Sequence, residues 1–247
     1  MKCLVLAAGY ATRLYPLTQN FPKPLLKVKD KTILDWLLDD IDTLSLINEY
    51  VIVSNHRYYE HFVNWAENKK LSAKITVLDD GSTENDNRLG AVADIDFAIK
   101  KLGIKDDLMV IAGDNVLDFS LCRLIEFFKE KNKTSVMRYF EARVEKLQKS
   151  GVAKVDDNDK IISMAEKPEK PESNWCIPPF YIYEKGDIEM IAKGIEDGCK
   201  TDAPGSFIAY LCEKRDVYAL EMPGKRYDIG DNKSYEEVQN TYQGIIK

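Results

Sequence analysis

The stretch from Cys3 to Leu26, CLVLAAGYATRLYPLTQNFPKPLL, decides the fold of this chain. Its apolar beginning predicts a buried strand that stops at a loop of small residues around Gly9. The loop carries Arg13, and ten residues later Lys23 stands between two prolines. Glycine lets the backbone come close to an anion, successive N–H groups can point at that anion, and the two cations neutralise it. The stretch therefore favours binding of a polyphosphate.

The two best-known phosphate-binding loops do not fit this stretch. It contains neither Gly-x-Gly-x-x-Gly nor a Gly-Lys-Ser/Thr ending. An ordinary turn at Gly9 with a surface Arg13 would explain either residue alone. It does not explain the whole set, which is Gly9, Thr12, Arg13, Pro16, Lys23 and Pro24.

Size and composition narrow the class of protein. With 247 residues, 45% of them hydrophobic, the chain can form one large α/β domain or a core with a small lobe. Its net charge of −6 argues against nucleic-acid and membrane-surface partners. The five cysteines are scattered and favour neither disulfides nor zinc. No apolar run approaches the ~20 residues of a membrane span, so we expect a cytoplasmic, soluble protein.

Strands and helices alternate in the first half of the sequence. Between the predicted strands, apolar residues recur at three- and four-residue steps, which is the period of a helix face. The strands are predicted at Cys3–Ala7, Tyr50–Val53, Ile75–Leu78 and Leu108–Ala112. The alternation predicts an α/β, Rossmann-like layer sandwich with a mostly parallel mixed sheet.

The second half has shorter strands and predicts a smaller, β-rich extension. These strands are expected at Ser135–Phe140, Val152–Val155, Ile161–Ala165, Ile177–Tyr183 and Val217–Glu221. Helices are expected at Asp187–Ile195, at Pro204–Leu211 with Asp202 as a candidate cap, and at 232–247.

Carboxylates follow the strands at two places. Asp114 comes directly after the strand Leu108–Ala112, and ligands of open α/β sheets bind at the carboxyl ends of strands. Asp228 lies in Tyr227-Asp228-Ile229-Gly230. Mg²⁺ takes one or two carboxylates and fills its shell with phosphate oxygens and water. A Gly-Asp turn that caps the next helix is the alternative explanation for Asp114.

Together these segments resemble the sugar-1-phosphate nucleotidyltransferases from Leu6 to Gly230. The first stretch resembles the family's Leu-Ala-Ala/Gly-Gly-x-x-Thr-Arg-Leu-x-Pro-Leu-Thr signature followed by Pro-Lys-Pro-Leu. Gly113-Asp114-Asn115 and the segment around Asp228 resemble its two metal motifs, and Glu166-Lys167-Pro168 resembles its sugar-phosphate triplet.

The resemblance implies an enzyme of NDP-sugar biosynthesis. Such an enzyme joins a nucleoside triphosphate to a sugar 1-phosphate and releases pyrophosphate with Mg²⁺. It also implies a single nucleotidyltransferase domain over 1–247, with a nucleotide-binding part at about 1–133 and a sugar-phosphate-binding part at about 134–230.

The same resemblance assigns roles to residues of this chain. The catalytic set is Arg13, Lys23, Asp114 and Asp228, of which the two aspartates hold the metal. The nucleotide-binding set is Leu6, Ala8, Gly9, Thr12, Arg13, Gly90 and Asp114. The sugar-phosphate set is Gly151, Glu166 and Lys167.

Several departures leave the substrates open. The loop Asp79–Arg88 lacks the family's base-reading Gln, and Ser150 stands where relatives have an aromatic residue. Gly113-Asp114-Asn115 favours dTTP or UTP with glucose 1-phosphate. The alternatives are a cytidylyltransferase or another nucleotidyltransferase with an acceptor such as phosphocholine, and a non-catalytic nucleotide- or sugar-nucleotide-sensing module. Self-association into a homo-oligomer is compatible with the sequence, which does not fix the oligomeric state.

Overall fold

The computed structural model describes residues 1–246, and in them strands and helices alternate as the apolar periodicity predicts. The strands are β1 Lys2–Leu6, β2 Lys27–Val28, β3 Lys31–Thr32, β4 Glu49–Ser54, β5 Lys74–Asp79, β6 Leu108–Ala112, β7 Asn115–Leu117, β8 Ser135–Phe140, β9 Gly151–Val155, β10 Ile161–Glu166, β11 Trp175–Ile177, β12 Phe180–Tyr183, β13 Tyr218–Glu221 and β14 Arg226–Asp228. The α-helices are α1 Ile33–Asp42, α2 Tyr59–Asn68, α3 Ala91–Leu102, α4 Cys122–Lys131, α5 Val144–Leu147, α6 Lys185–Ile188, α7 Met190–Glu196, α8 Gly205–Cys212 and α9 Asn232–Thr241. This content confirms the predicted α/β class.

The chain divides into two compact units. Unit 1 comprises Met1–Arg88, Ala112–Cys122 and the segment from Pro223, and unit 2 comprises Leu89–Ile111 and Arg123–Met222. Each unit is therefore assembled from separate stretches of sequence.

Unit 1 is built on the parallel strands β1, β4 and β5, in this order. Leu6 pairs with Val53, and Ser54 pairs with Asp79, so the carboxyl ends of the three strands share one edge. The strands β1 and β4 are almost entirely buried, which matches their continuous apolar runs. The loops that follow these strands start from this shared edge.

A second apolar cluster in unit 1 lies beneath the loop that follows β1. Its buried members come from the N-terminal segment, from β7 and from the segment that follows β14, and are Leu14, Leu26, Val28, Ile33, Val116, Ile229, Val238 and Tyr242. The hydroxyl of Tyr242 donates a hydrogen bond to the carbonyl oxygen of Leu117 at 2.8 Å. The antiparallel pair β7–β14 and the helix α9 are therefore fixed to the same core as the loop.

Unit 2 contains a mixed sheet. Its strands follow the order β10-β9-β11-β8-β12-β6, and β13 pairs with β8 in parallel. The remaining pairs in this unit, from β10–β9 to β12–β6, are antiparallel. The change from parallel strands in unit 1 to mainly antiparallel strands in unit 2 agrees with the predicted β-rich extension.

Two predicted elements are each divided in the structure. The strand predicted over Ile177–Tyr183 is two strands, β11 and β12, because Pro178 and Pro179 lack the N–H that a ladder needs. The helix predicted over Asp187–Ile195 is divided into α6 and α7. Asp187 of α6 is buried and accepts a hydrogen bond from Thr134 at 2.5 Å, a distant contact that periodicity does not encode.

The C-terminal helix begins at the predicted Asn232 and ends at Thr241, because Tyr242 is extended and its side chain is buried in the core. The last predicted residue, Lys247, lies outside the described residues. The N-cap position of α8 is occupied by Pro204, so the capping role considered for Asp202 is wrong.

In the described part of the chain, no helix combines the length and apolar character needed to span a membrane.

Candidate active site

The loop after β1 is held in place by hydrogen bonds to its backbone. The side chain of Asn55 donates to the carbonyl oxygen of Ala8 at 2.9 Å, and the hydroxyl of Thr18 donates to that of Ala11 at 2.8 Å. Ala11 has a φ of 46°, a left-handed conformation that turns the chain into a short 3-10 helix over Thr12–Leu14. Leu14 is buried in the second apolar cluster of unit 1 and anchors this helix. These hydrogen bonds and the buried Leu14 hold the backbone of the loop in place.

Gly9 and Arg13 lie on the exposed side of this loop. A Cβ added at Gly9 would have no atom of residues 1–246 within 4 Å, so the backbone there is open to a close ligand. The guanidinium group of Arg13 lies against Gly230, with Nη2 3.7 Å from the position of an added Cβ. Within unit 1, Arg13 is therefore close to the segment that carries Asp228.

Lys23 is buried although it carries a charge. It begins a 3-10 helix over Lys23–Leu25 and is 7% exposed. Its Nζ donates a hydrogen bond to Oδ2 of Asp114 at 3.0 Å, and this ion pair offsets part of the cost of burying the ammonium group. The structure therefore brings together two residues that are 91 positions apart in the sequence.

Gly113 lets Asp114 approach this position. A Cβ on Gly113 would lie 2.9 Å from Cγ1 of Val5 and 3.4 Å from ring carbons of Pro24. The glycine therefore lets the turn after β6 pack directly against β1 and the Lys23 segment. The Gly-Asp turn expected from the sequence is present, and it places the carboxylate rather than capping a helix.

The carboxylate of Asp114 is surrounded by hydrogen-bond donors. Burial opposes its ionisation, but the charge and hydrogen bond of Lys23, with a further contribution from Arg226, lower the pKa of Asp114 below its usual value. The side chain of Asn115 donates to Oδ1 of Asp114 at 2.6 Å and accepts a hydrogen bond from Arg226 at 2.7 Å. Asp114 is therefore held as a carboxylate in a fixed orientation.

Asp228 lies on β14, the strand that pairs with β7 directly after Asp114. In the β7–β14 pair it is directly opposite Asn115, and its side chain is exposed. Asp114 itself is 45% exposed at its side chain, so both carboxylates are open to solvent. In the described residues, no cluster of three or more His, Cys, Asp or Glu side chains is arranged to hold a metal. Asp114 and Asp228 are the candidate carboxylate ligands for a cation, and Mg²⁺ commonly takes one or two carboxylates and completes its shell with other oxygens.

The remaining predicted site residues belong to unit 2. Gly90 has a φ of 95° and caps α3, and a Cβ there would lie 2.7 Å from the carbonyl oxygen of Thr201. The first two N–H groups of α3, at Ala91 and Val92, donate to the carbonyl oxygens of Asp202 and Thr201. The backbone conformation and the local packing therefore both require a glycine at this position.

Glu166 ends β10 opposite Gly151. A Cβ on Gly151 would lie 2.8 Å from its Oε2, and a Cβ on Gly205 would lie 2.1 Å from the same oxygen. Burial raises the pKa of Glu166, the charge of Lys167 opposes that rise, and Asp202 adds to it. Two glycines therefore make the room in which this carboxylate lies.

Lys167 follows with an unusual backbone. Its φ is 51°, and its N–H donates to the carbonyl oxygen of Ser150 at 3.0 Å. Its exposed ammonium group lies 3.8 Å from Oδ2 of Asp202. A left-handed backbone at a residue other than glycine is uncommon and is concentrated at functional positions.

Sequence reasoning missed four residues that shape these groups. They are Asn55, Asn115, Arg226 and Gly205. Asn115 and Arg226 stand inside segments that the sequence singled out, and Asn55 follows a buried strand, so a search for polar residues at strand ends would have found them. Only the three-dimensional contact with Glu166 reveals the role of Gly205.

Nearly the whole chain is similar in sequence to known proteins. A family model described as "Nucleotidyl transferase" matches residues 2–244. The bifunctional protein GlmU of Methanocaldococcus jannaschii is 30% identical over 234 residues, 93% of this chain and 51% of that protein. The UTP--glucose-1-phosphate uridylyltransferase of Synechocystis sp. is 26% identical over 243 residues, 95% of this chain and 61% of that protein. The chain thus spans only about half to three-fifths of the length of these curated relatives.

A solved structure of UDP-glucose pyrophosphorylase complexed with UDP-glucose has the same fold. The TM-score is 0.79 at 21% sequence identity, and the match covers 98% of this chain and 97% of the other. This likeness confirms the predicted Rossmann-like α/β fold.

Proposed function

This chain belongs to the nucleotidyl transferase family, and we propose that it condenses a nucleoside triphosphate with a sugar 1-phosphate to give an NDP-sugar and pyrophosphate. We favour UTP over dTTP, and glucose 1-phosphate as the acceptor. Two of the compared proteins carry UTP and glucose 1-phosphate, or UDP-glucose, in their names. Because nucleoside triphosphates are the donors, we place the reaction in the cytoplasm.

One observation carries this proposal. Within unit 1, Asp114 is held between Lys23 and Asn115, and Asp228 lies directly opposite Asn115. A carboxylate pair beside a buried lysine at the edge of a sheet suits a metal-bound triphosphate better than it suits a structural role, since stability alone would not require two exposed carboxylates there.

The reaction requires alignment and charge neutralisation rather than a covalent intermediate. A phosphate oxygen of the acceptor attacks the α-phosphorus and forms a new P–O bond, while the bond from that phosphorus to the bridging oxygen of the β-phosphate breaks. Pyrophosphate leaves with the electron pair of the broken bond. No group of the protein needs to accept a proton, because the attacking oxygen is already ionised near neutral pH.

The residues of unit 1 are assigned to the triphosphate. Arg13 neutralises the β- and γ-phosphates as negative charge accumulates on pyrophosphate, and its planar fork suits paired contacts with phosphate oxygens. Lys23 is assigned to bind the α-phosphate. The backbone at Ala8 and Gly9 approaches the nucleotide, with Leu6 and Thr12 bordering it.

Asp114 and Asp228 are the residues that would hold Mg²⁺. They fit this ion, because both are carboxylates with solvent access and hard oxygen donors are what Mg²⁺ prefers. When bound, the ion supplies positive charge to the phosphate oxygens during transfer.

The residues of unit 2 are assigned to the two substrates as the sequence suggests. Lys167 grips the acceptor phosphate, and Glu166 accepts hydrogen bonds from sugar hydroxyl groups beside Gly151. Gly90 contributes to the nucleotide site. The glycines around Glu166 support this assignment, since a Cβ on either of them would collide with Oε2 and displace the carboxylate.

The decisive experiment measures pyrophosphate release. The purified protein is given UTP, dTTP, CTP, GTP or ATP, each with glucose 1-phosphate, other sugar 1-phosphates or phosphocholine. We expect release that needs both substrates and Mg²⁺, with the highest kcat/KM for UTP and glucose 1-phosphate. Pyrophosphate release only from the pair CTP and phosphocholine would show that the acceptor is not a sugar 1-phosphate. Nucleotide binding without release from any pair would refute the enzyme assignment and favour a sensing module.

Asp114→Ala gives an internal check of the metal assignment. We expect it to abolish release at any Mg²⁺ concentration, whereas Asp157→Ala, at an exposed turn, should behave as the wild type. Equal rates for the two variants would remove Asp114 from the mechanism.

A further inference from the structure

Both oxygens of the Asp114 carboxylate already have donors in the free protein. Oδ2 accepts from the ammonium group of Lys23 at 3.0 Å, and Oδ1 accepts from the side-chain amide of Asn115 at 2.6 Å. The two donors differ in kind, because one carries a full positive charge and the other is neutral. Only the charged one competes with a metal cation.

The donor on Oδ1 is fixed in place. Asn115 is 2% exposed, pairs through its backbone with Asp228, and accepts a hydrogen bond from Arg226 at 2.7 Å. A side chain with these partners cannot rotate away without leaving buried polar atoms unsatisfied, which is costly. Oδ1 therefore stays where the Arg226–Asn115 pair holds it.

The donor on Oδ2 is held by fewer partners, since the described residues give the Lys23 ammonium group one hydrogen bond, to Asp114. Lys23 is the only buried lysine within residues 1–246, and its long side chain has several rotatable bonds. A divalent cation on Oδ2 would face the ammonium group across a single atom, and like charges at such a range repel even in water. One oxygen therefore does not serve both cations at once.

We propose that Oδ2 of Asp114 is exchanged between two cations, the Lys23 ammonium group in the free protein and the divalent metal in the loaded protein, while the Arg226–Asn115 pair keeps Oδ1 in place. This inference rests on the proposed function, because it uses the metal and phosphate roles assigned above. In this scheme, binding of the metal releases the Lys23 ammonium group, which can then bind the α-phosphate. Asn115 and Arg226 are positioning residues in this scheme, since they act through Asp114.

The exchange can be tested without any turnover. Mn²⁺ binding to the protein alone, followed by electron paramagnetic resonance, is compared for wild type, Lys23→Met and Lys27→Met. Removing the competing charge should tighten Mn²⁺ binding about tenfold in Lys23→Met, an effect of the size expected for one neighbouring charge. Lys27→Met, an exposed lysine on β2, should bind as the wild type. Asp114→Asn should weaken binding in either background.

Equal or weaker Mn²⁺ binding in Lys23→Met would overturn the exchange, and so would a lack of binding in both proteins. The wild-type chain gives a second measurement that does not depend on a folded variant. In ¹⁵N-lysine protein, the buried ammonium group of Lys23 should give a slowly exchanging NMR signal that shifts or broadens when Mg²⁺ is added. An unchanged signal would also refute the exchange. Pyrophosphate release by the wild type tests the proposed function separately, so the two ideas can fail independently.

Discussion

Replacing Gly205 by alanine should weaken acceptor binding without weakening the fold. The new Cβ would lie 2.1 Å from Oε2 of Glu166 and 3.2 Å from its Cδ. The carboxylate must therefore move, and it can do so because it ends a flexible side chain. A lost hydrogen bond between the acceptor and this charged group costs about 1.5–3 kcal/mol of binding. Since about 1.4 kcal/mol is a factor of ten, KM for the acceptor should rise about tenfold to a hundredfold.

The assay is pyrophosphate release with the acceptor varied at saturating nucleoside triphosphate, together with a thermal melt. The melting temperature of Gly205→Ala should hardly change, because the gain of about 0.4–1 kcal/mol from restricting the unfolded chain offsets a cost of about 0.5–1.5 kcal/mol for an off-rotamer Glu166 side chain. Gly186→Ala is the matched control, since the nearest atom to its added Cβ is 3.8 Å away in the same unit. An unchanged acceptor KM in Gly205→Ala, or an equal rise in Gly186→Ala, would refute the reasoning.

Three further predictions concern catalysis and stability. Arg13→Ala should lower kcat about 10²–10³-fold with an unchanged melting temperature, and Arg13→Lys should recover little of the loss because a point charge cannot make paired contacts; normal turnover in either variant would contradict the assigned role. Tyr242→Phe removes the hydrogen bond to the carbonyl oxygen of Leu117 and should lower the free energy of unfolding in urea by about 0.5–1.5 kcal/mol; a smaller change would mean that water replaces the hydroxyl. Burial opposes the charge of Glu49, but hydrogen bonds from lysines, Lys2 first, lower its pKa from 4.5 to about 2. Its carboxylate therefore stabilises the fold above about pH 4.5, and that contribution is lost as the pH falls towards about 2. Glu49→Gln should flatten this part of the stability profile, and an unaltered acid limb would exclude the mechanism.

The elements predicted best from sequence are those whose identity is local. Leu108–Ala112 and Ser135–Phe140 are strands with the predicted bounds, because continuous apolar or alternating runs between turn residues fix them without help from the rest of the chain. The loop after β1 was singled out as a candidate phosphate-binding loop for a related reason. Its glycine, arginine and proline-flanked lysine are close in sequence, so the groups expected to bind an anion can be read from one short stretch.

Elements that depend on distant partners were not predictable. The strand β7 has three residues, and it exists because it pairs with β14, which follows more than a hundred positions later. No period can be read from three residues. The ion pair between Lys23 and Asp114 and the room that Gly205 leaves for Glu166 are likewise contacts between remote segments. Sequence suggested the participants in the first case, and it gave no signal for the second.

The cluster that joins Leu14 to Val238 and Tyr242 has a consequence for how the protein is made. A ribosome delivers the loop with Arg13 more than two hundred residues before the helix α9. The early segment therefore lacks its full apolar support until Val238 and Tyr242 have been synthesised. Under the proposed function, nascent chains that lack α9 should be unable to hold nucleotides, and that ability should arise once α9 packs onto the cluster.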